Sequence, residues 1–248
     1  AYSSGTSWIT SNSIIGNSIT WSWQTAGADI LSNSWGGGGN SSLINSPISN
    51  AVNSGRNGRG APVLFAAGND NSSVSYPATL TDVISVAAMS MCGERKNPGS
   101  CDGETWWGSN YGTGLDVAAP GVKIAASDIA GSDGYSSGDY TGTFNGTSSA
   151  CPNAAGVMAL ILSADPAITE SNARDILEST CDKAGGYTYT SGNPNGTWSN
   201  ELGYGRVNAQ AAVQSALSSS SCPFNSQIGV SGVTSTTATI FMLTSNAA

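Results

Sequence analysis

The chain contains no histidine. That removes the side chain most often used as a general base near neutral pH, and with it the Cys/His sets that hold zinc. Basic residues are scarce as well: 8 Lys and Arg stand against 16 Asp and Glu, a net charge of −8. Nucleic acid, whose phosphates call for clustered cations, is thereby excluded as a partner. No apolar run approaches the roughly 20 residues that a membrane span requires, so no membrane partner is expected. Charged residues of either sign make up only 10% of the chain.

What is present is a 248-residue chain with 39% hydrophobic residues and 32 glycines, enough for one sizeable core. Five cysteines point to an oxidising compartment. Cys92 and Cys101 bracket a Gly/Pro-rich loop with no metal-ligand partners at zinc-like spacing, so a disulfide is expected there. For Cys151 and Cys181 two readings stand open, a bridge between two antiparallel helices or a pair of buried thiols, with Cys222 as the odd cysteine.

The chain is organised around Asn145-Gly146-Thr147-Ser148-Ser149-Ala150-Cys151-Pro152, which runs straight into an apolar helix. Such a junction holds a hydroxyl at a helix N-terminus, where free N–H groups and the helix dipole favour a developing negative charge. The plain alternative makes Thr147 an N-cap and Ser148 an ordinary first-turn serine. Pro152 is expected to fall in the first turn, where its missing N–H costs nothing. A second element tips the balance. Val63-Leu64-Phe65-Ala66-Ala67-Gly68-Asn69 reads as a buried strand that delivers a side-chain amide to its carboxyl end, where an Asn could donate to an oxyanion.

At these residues the sequence resembles the subtilisin-like serine peptidases, the subtilases. Gly146 to Pro152 is similar to their nucleophile motif, and Ala66-Ala67-Gly68-Asn69 to their oxyanion-hole segment. Ser34-Trp35-Gly36-Gly37 is similar to their substrate-binding strand, and Leu115 to Gly121 to the motif between. The motifs stand in family order and cover roughly residues 28 to 215. The resemblance implies Ser148 as nucleophile, Asn69 as oxyanion donor, and Ser34, Trp35, Gly36, Ala67 and Gly68 along the substrate. Ser149 departs from the family's usual Met. No cofactor is implied as a requirement. A structural calcium is admitted at Asp116, with the carbonyls of Thr81 and Val83.

The implied fold is α/β, a three-layer arrangement with a parallel sheet and helices on both faces. Helices are expected over Ser11–Ala26, Ser42–Ser54, Ser148–Ser163, from Thr169, and over Asn208–Leu217. Strands are expected over Ala28–Trp35, Val63–Ala67 and Val83–Ala88, near 115–118 and 123–127, and over Leu202–Val207. Trp106 and Trp107 are expected to pack under the cysteine loop. Residues 1–217 read as the C-terminal portion of a catalytic domain and 218–224 as a linker. Residues 225–248 resemble the start of a fibronectin type III-like module, truncated because roughly two dozen residues cannot build a sandwich.

A serine nucleophile needs a base, and the family's triad supplies His and Asp upstream of the Asn69 segment. The expectation is therefore an upstream fragment of the same domain, present as a separate polypeptide and carrying both. The function implied is a secreted, extracellular endopeptidase acting on polypeptide substrates. The alternative is an inactive scaffold of the same fold, retained for assembly or adhesion. A carbohydrate-binding module built on exposed tryptophans explains none of the motifs.

Overall fold

A computed structural model describes residues 2–3 and 8–219. Strands β1 (Tyr2–Ser3) and β2 (Trp8–Ile9) form a short antiparallel pair. Helix α1 (Asn12–Gln24) follows, with the Ser11 hydroxyl accepting from the Ile14 N–H as its N-cap. The central sheet contains β3 (Leu31–Asn33), β4 (Val63–Ala66), β5 (Ile84–Met89) and β6 (Val117–Pro120), all parallel and in the order β3-β4-β5-β6. Helix α2 (Ser42–Gly58) connects the first two. Its backbone leaves the helical region at Gly55, Arg56 and Asn57, so the regular part ends where the sequence pattern does.

Strands β4, β5 and β6 are largely apolar on both faces, as parallel strands covered by helices must be, whereas the edge strand β3 buries only Leu31. Side chains alternate, and the alternation sorts them into two cores. Leu64, Ala66, Ile84, Val86, Val117 and Ala119 point to one face. There they meet α3 (Thr147–Ala164), α4 (Glu170–Ser179) and α5 (Ala209–Ser219) through Ala154, Met158, Ile161, Leu177 and Ala212. Val63, Phe65, Ala87 and Ala118 point the other way, against Ile19 of α1 and Ile44, Ile48 and Ala51 of α2. The expected three-layer α/β arrangement is the one observed.

Several local expectations change. The strand after α1 is only three residues long, against the eight-residue span read from sequence. Residues 202–207 form isolated bridges rather than a strand: Arg206 pairs with Ala118 and Gly203 with Ser199. Two antiparallel pairs appear, β7 (Ile124–Ser127) with β8 (Tyr140–Phe144), and β9 (Thr190–Asn193) with β10 (Gly196–Trp198). Trp107 is buried and its indole N–H donates to Glu104 Oε2 at 2.7 Å, but Trp106 is 73% exposed.

Cys92 and Cys101 are bonded, with Cα atoms 6.3 Å apart. Cys151 and Cys181 are both free and buried, which decides between the two readings of that pair. Helix α5 runs through Ser219, so the first two residues of the expected linker belong to the helix. The remainder of the linker, Cys222 and the fibronectin-like segment lie outside the described residues.

Candidate active site

Strand β4 is fully buried and carries Ala67-Gly68-Asn69 out of its carboxyl end. Gly68 sits at φ +109°, and a Cβ there would lie 2.3 Å from the Asn110 amide nitrogen, so only glycine fits. Asn110 is itself buried. Its Oδ1 accepts from the Asp70 and Ser72 N–H groups at 2.9 and 3.1 Å, and its own N–H donates to the Gly68 carbonyl at 2.8 Å. It thus grips the turn on both sides of Asn69.

Helix α3 starts beside that turn. Its N-cap is Gly146, at φ +110°, and not Thr147, so no side chain of its own caps it. The Thr147 N–H donates instead to Asn69 Oδ1 at 2.8 Å. The Thr147 hydroxyl accepts from the Gly68 N–H at 3.2 Å and donates to the same Asn69 oxygen at 2.9 Å. Two donors on Oδ1 fix which way the amide faces. The Asn69 NH₂ group, on an exposed residue, donates to no protein atom among the described residues and lies beside the start of the helix: a Cβ on Gly146 would be 3.4 Å from both the Asn69 Nδ2 and the Ser148 N.

Ser148 is half-buried at the second helical position, next to this free amide. Pro152 is the sixth helical residue, not a first-turn one, so the Ser148 carbonyl lacks its helical donor. The Ser34 hydroxyl replaces it, donating to the Ser148 carbonyl at 2.7 Å. Ser34 therefore ties the end of β3 to the backbone of the serine expected as nucleophile, a contact no sequence spacing announces. Ser149 is buried and donates to the carbonyls of Gly146 and Gly121, at 2.8 and 3.1 Å.

Trp35 packs edge-on against Phe65, ring centroids 5.0 Å apart, and its indole N–H reaches Asn33 Oδ1 at 3.1 Å. Gly36 lies under the Tyr76 carbonyl, 3.1 Å from where its Cβ would be, and the Gly37 N–H donates to that carbonyl. Ala67 is buried behind. Ser34, Trp35, Gly36, Ala67, Gly68, Asn69 and Ser148 thus gather at the carboxyl ends of β3 and β4 and the start of α3, where open α/β sheets bind ligands. No titratable side chain among the described residues hydrogen-bonds to the Ser148 hydroxyl. Cys151 lies one turn further into α3, and burial pushes its thiol above the ordinary range.

Asp116, Thr81 and Val83 do not make the cation site expected of them. The Arg174 guanidinium donates to the Thr81 carbonyl at 2.8 Å and to Asp116 Oδ1 at 2.9 Å. Asp116 Oδ2 accepts from the Ser85 N–H at 2.7 Å, and Glu178 Oε1 takes the Arg174 Nε–H at 2.7 Å. A fixed cation already takes the Thr81 carbonyl and one Asp116 oxygen, and a backbone N–H takes the other, so Asp116 and Thr81 as they stand do not fit the metal. Among the described residues no group of three His, Cys, Asp or Glu side chains is placed to hold one. Glu170, on the same helix, is raised to about 7 by burial, partly offset by Arg174 and reinforced by Glu178, Asp82 and Asp175.

A sequence model of the subtilase family matches residues 2–205. A protein named calcium-dependent protease, from Nostoc sp., is 37% identical over 232 residues, covering 81% of this chain and 34% of its own length. An extracellular protease of Xanthomonas campestris pv. campestris is 37% identical over 193 residues, covering 77% of this chain and 29% of its own. The chain thus spans about a third of the length of these curated relatives. Among solved structures, a protease from Pseudoalteromonas arctica PAMC 21717 is similar with a TM-score of 0.63 and 32% identity, covering 82% of this chain and 58% of that one.

Proposed function

The chain belongs to the subtilase family, and from that premise we propose that it forms the nucleophile-bearing part of a secreted serine endopeptidase. The carrying observation is the Asn69 amide, held at Oδ1 by both donors of Thr147, with its NH₂ group at the Gly146–Ser148 turn, where a Cβ on Gly146 would lie 3.4 Å from both the Asn69 Nδ2 and the Ser148 N. A scaffold has no use for an oriented donor left to solvent next to a hydroxyl at a helix N-terminus. An oxyanion forming on a carbonyl attacked by Ser148 has immediate use for it.

In this reading the Ser148 hydroxyl attacks the scissile carbonyl while a base takes its proton. The negative charge on the former carbonyl oxygen is met by the Asn69 NH₂ group and the Ser148 N–H. The proton then passes to the leaving amine, and water repeats the sequence to release the acyl group. The chain has no histidine, so in this reading the histidine base is carried on polypeptide outside this sequence. Substrate runs extended beside Ser34, Trp35 and Gly36, pairing main chain to main chain, which favours broad specificity. Export is supported by the Cys92–Cys101 disulfide and by the name of the Xanthomonas relative.

The test is covalent labelling of the whole protein with a fluorophosphonate. Labelling that maps to Ser148, and disappears in Ser148→Ala, is the expected result. A folded whole protein that does not label would instead favour the inactive scaffold.

A further inference from the structure

Behind the nucleophile turn lies a buried polar network. Glu104 is 5% exposed, yet its carboxylate accepts from both sides, from the Trp107 indole N–H at 2.7 Å and from the Asn145 NH₂ group at 2.8 Å. Asn145 immediately precedes Gly146, and its Oδ1 accepts from the Lys123 N–H at 2.6 Å. The segment carrying Glu104 is itself anchored. Buried Lys96 donates to Asp102 Oδ1 at 2.9 Å and to the Glu104 carbonyl, and Lys123 Nζ donates to the Asp102 carbonyl at 2.8 Å. The Gly146 N–H is held by the Gly121 carbonyl at 2.9 Å.

These contacts matter because α3 has no capping side chain at Gly146. The direction in which the chain enters the helix, and hence where the Ser148 hydroxyl stands, is set by neighbours. On one side is Asn69. On the other is Asn145, whose amide is fixed at both ends. Resting on the peptidase reading, we propose that Glu104 is a positioning residue for that reaction, holding Ser148 in register with the Asn69 donor through the side chain of Asn145.

The polarity of the contact supplies the test. Glu104→Gln, keeping its oxygen on Trp107, turns an NH₂ group towards the NH₂ of Asn145. Asn145→Asp sets a carboxylate against a carboxylate. Combined, the two substitutions restore a donor facing an acceptor while Trp107 and Lys123 keep their partners. The four proteins are compared as the whole, base-carrying protein, well below the unfolding temperature of the least stable. Each single variant should lose about 10- to 100-fold in the rate of fluorophosphonate labelling and in kcat, with KM nearly unchanged. The double variant should recover most of that loss.

Folded single variants that label at the parent rate would overturn the proposal, as would a double variant whose losses simply multiply. If a single variant does not fold, Asn145→Ala takes its place; slowed labelling is then expected, and the parent rate would refute the idea. An unlabelled parent protein would sink the peptidase reading together with this one, whereas a labelled parent with indifferent variants would sink this one alone.

Discussion

At the residue scale the site turns on which end of the Asn69 amide faces the helix. Thr147 decides that with its N–H and its hydroxyl, and the hydroxyl is in turn held by Gly68. Thr147→Val removes the hydroxyl link and keeps the N–H. We expect kcat to fall by about 3- to 10-fold, the worth of one neutral hydrogen bond, with KM unchanged. In an Asn69→Ala background the same substitution should cost almost nothing more, because Thr147 acts through that amide. Full additivity in a double-mutant cycle would show that it acts otherwise. Asn69 and Ser148 were legible in the sequence because local rules mark them: a buried strand ending in Gly-Asn, and a Gly-Thr-Ser turn entering a helix. Asn110, Glu104 and Ser34 were not, since their partners lie 38–40, 41 and 114 positions away and no local pattern links them.

At the scale of elements, α4 and its neighbours hold the clearest departure from the resemblance. The resemblance pairs Asp116 with Thr81 around a calcium ion and says nothing of Arg174, which reaches both from a helix 58 positions beyond Asp116. A guanidinium differs from an ion in that chelators cannot remove it. Arg174→Ala leaves the half-buried Asp116 and the buried Glu178 without the guanidinium, a loss of about 3–5 kcal/mol where one member of a buried pair is removed, and less here because the arginine retains some solvent contact. Thermal unfolding should therefore show a clear drop in Tm for Arg174→Ala. Added calcium should restore part of it in the variant, by neutralising the freed carboxylates, and do nothing at this corner of the parent. An Arg174→Ala protein as stable as the parent would deny the guanidinium that role. Helix boundaries in this region were readable because Thr169 caps α4 through the Asn172 N–H and Asp165-Pro166 closes α3, both local signals.

At the scale of the whole molecule the two edges of the sheet are treated differently. The outer side of β6 is covered, with Ala118 exchanging hydrogen bonds with Gly205 and Val207. The outer side of β3 pairs with no strand among the described residues. It borders a groove of about 750 Å³ lined by Ile15, Ile19, Ile30, Leu31, Trp35 and Ile44. Leu31 donates towards β4, and peptide groups alternate along a parallel strand, so the Ser32 N–H points into that groove. An unpaired edge beside apolar side chains is costly to leave open and suited to receiving another strand. If the polypeptide that carries the base completes the sheet here, the Ser32 amide should exchange with solvent far faster than those of Phe65 and Val86 when this chain is studied alone. It should become protected in the whole protein. Hydrogen exchange read at residue resolution distinguishes the outcomes, because the interior strands serve as an internal reference in both samples. Fast exchange at Ser32 in a whole protein that labels at Ser148 would mean that the base reaches the nucleophile without a strand on this edge, and would place its carrier over the carboxyl ends of the strands instead.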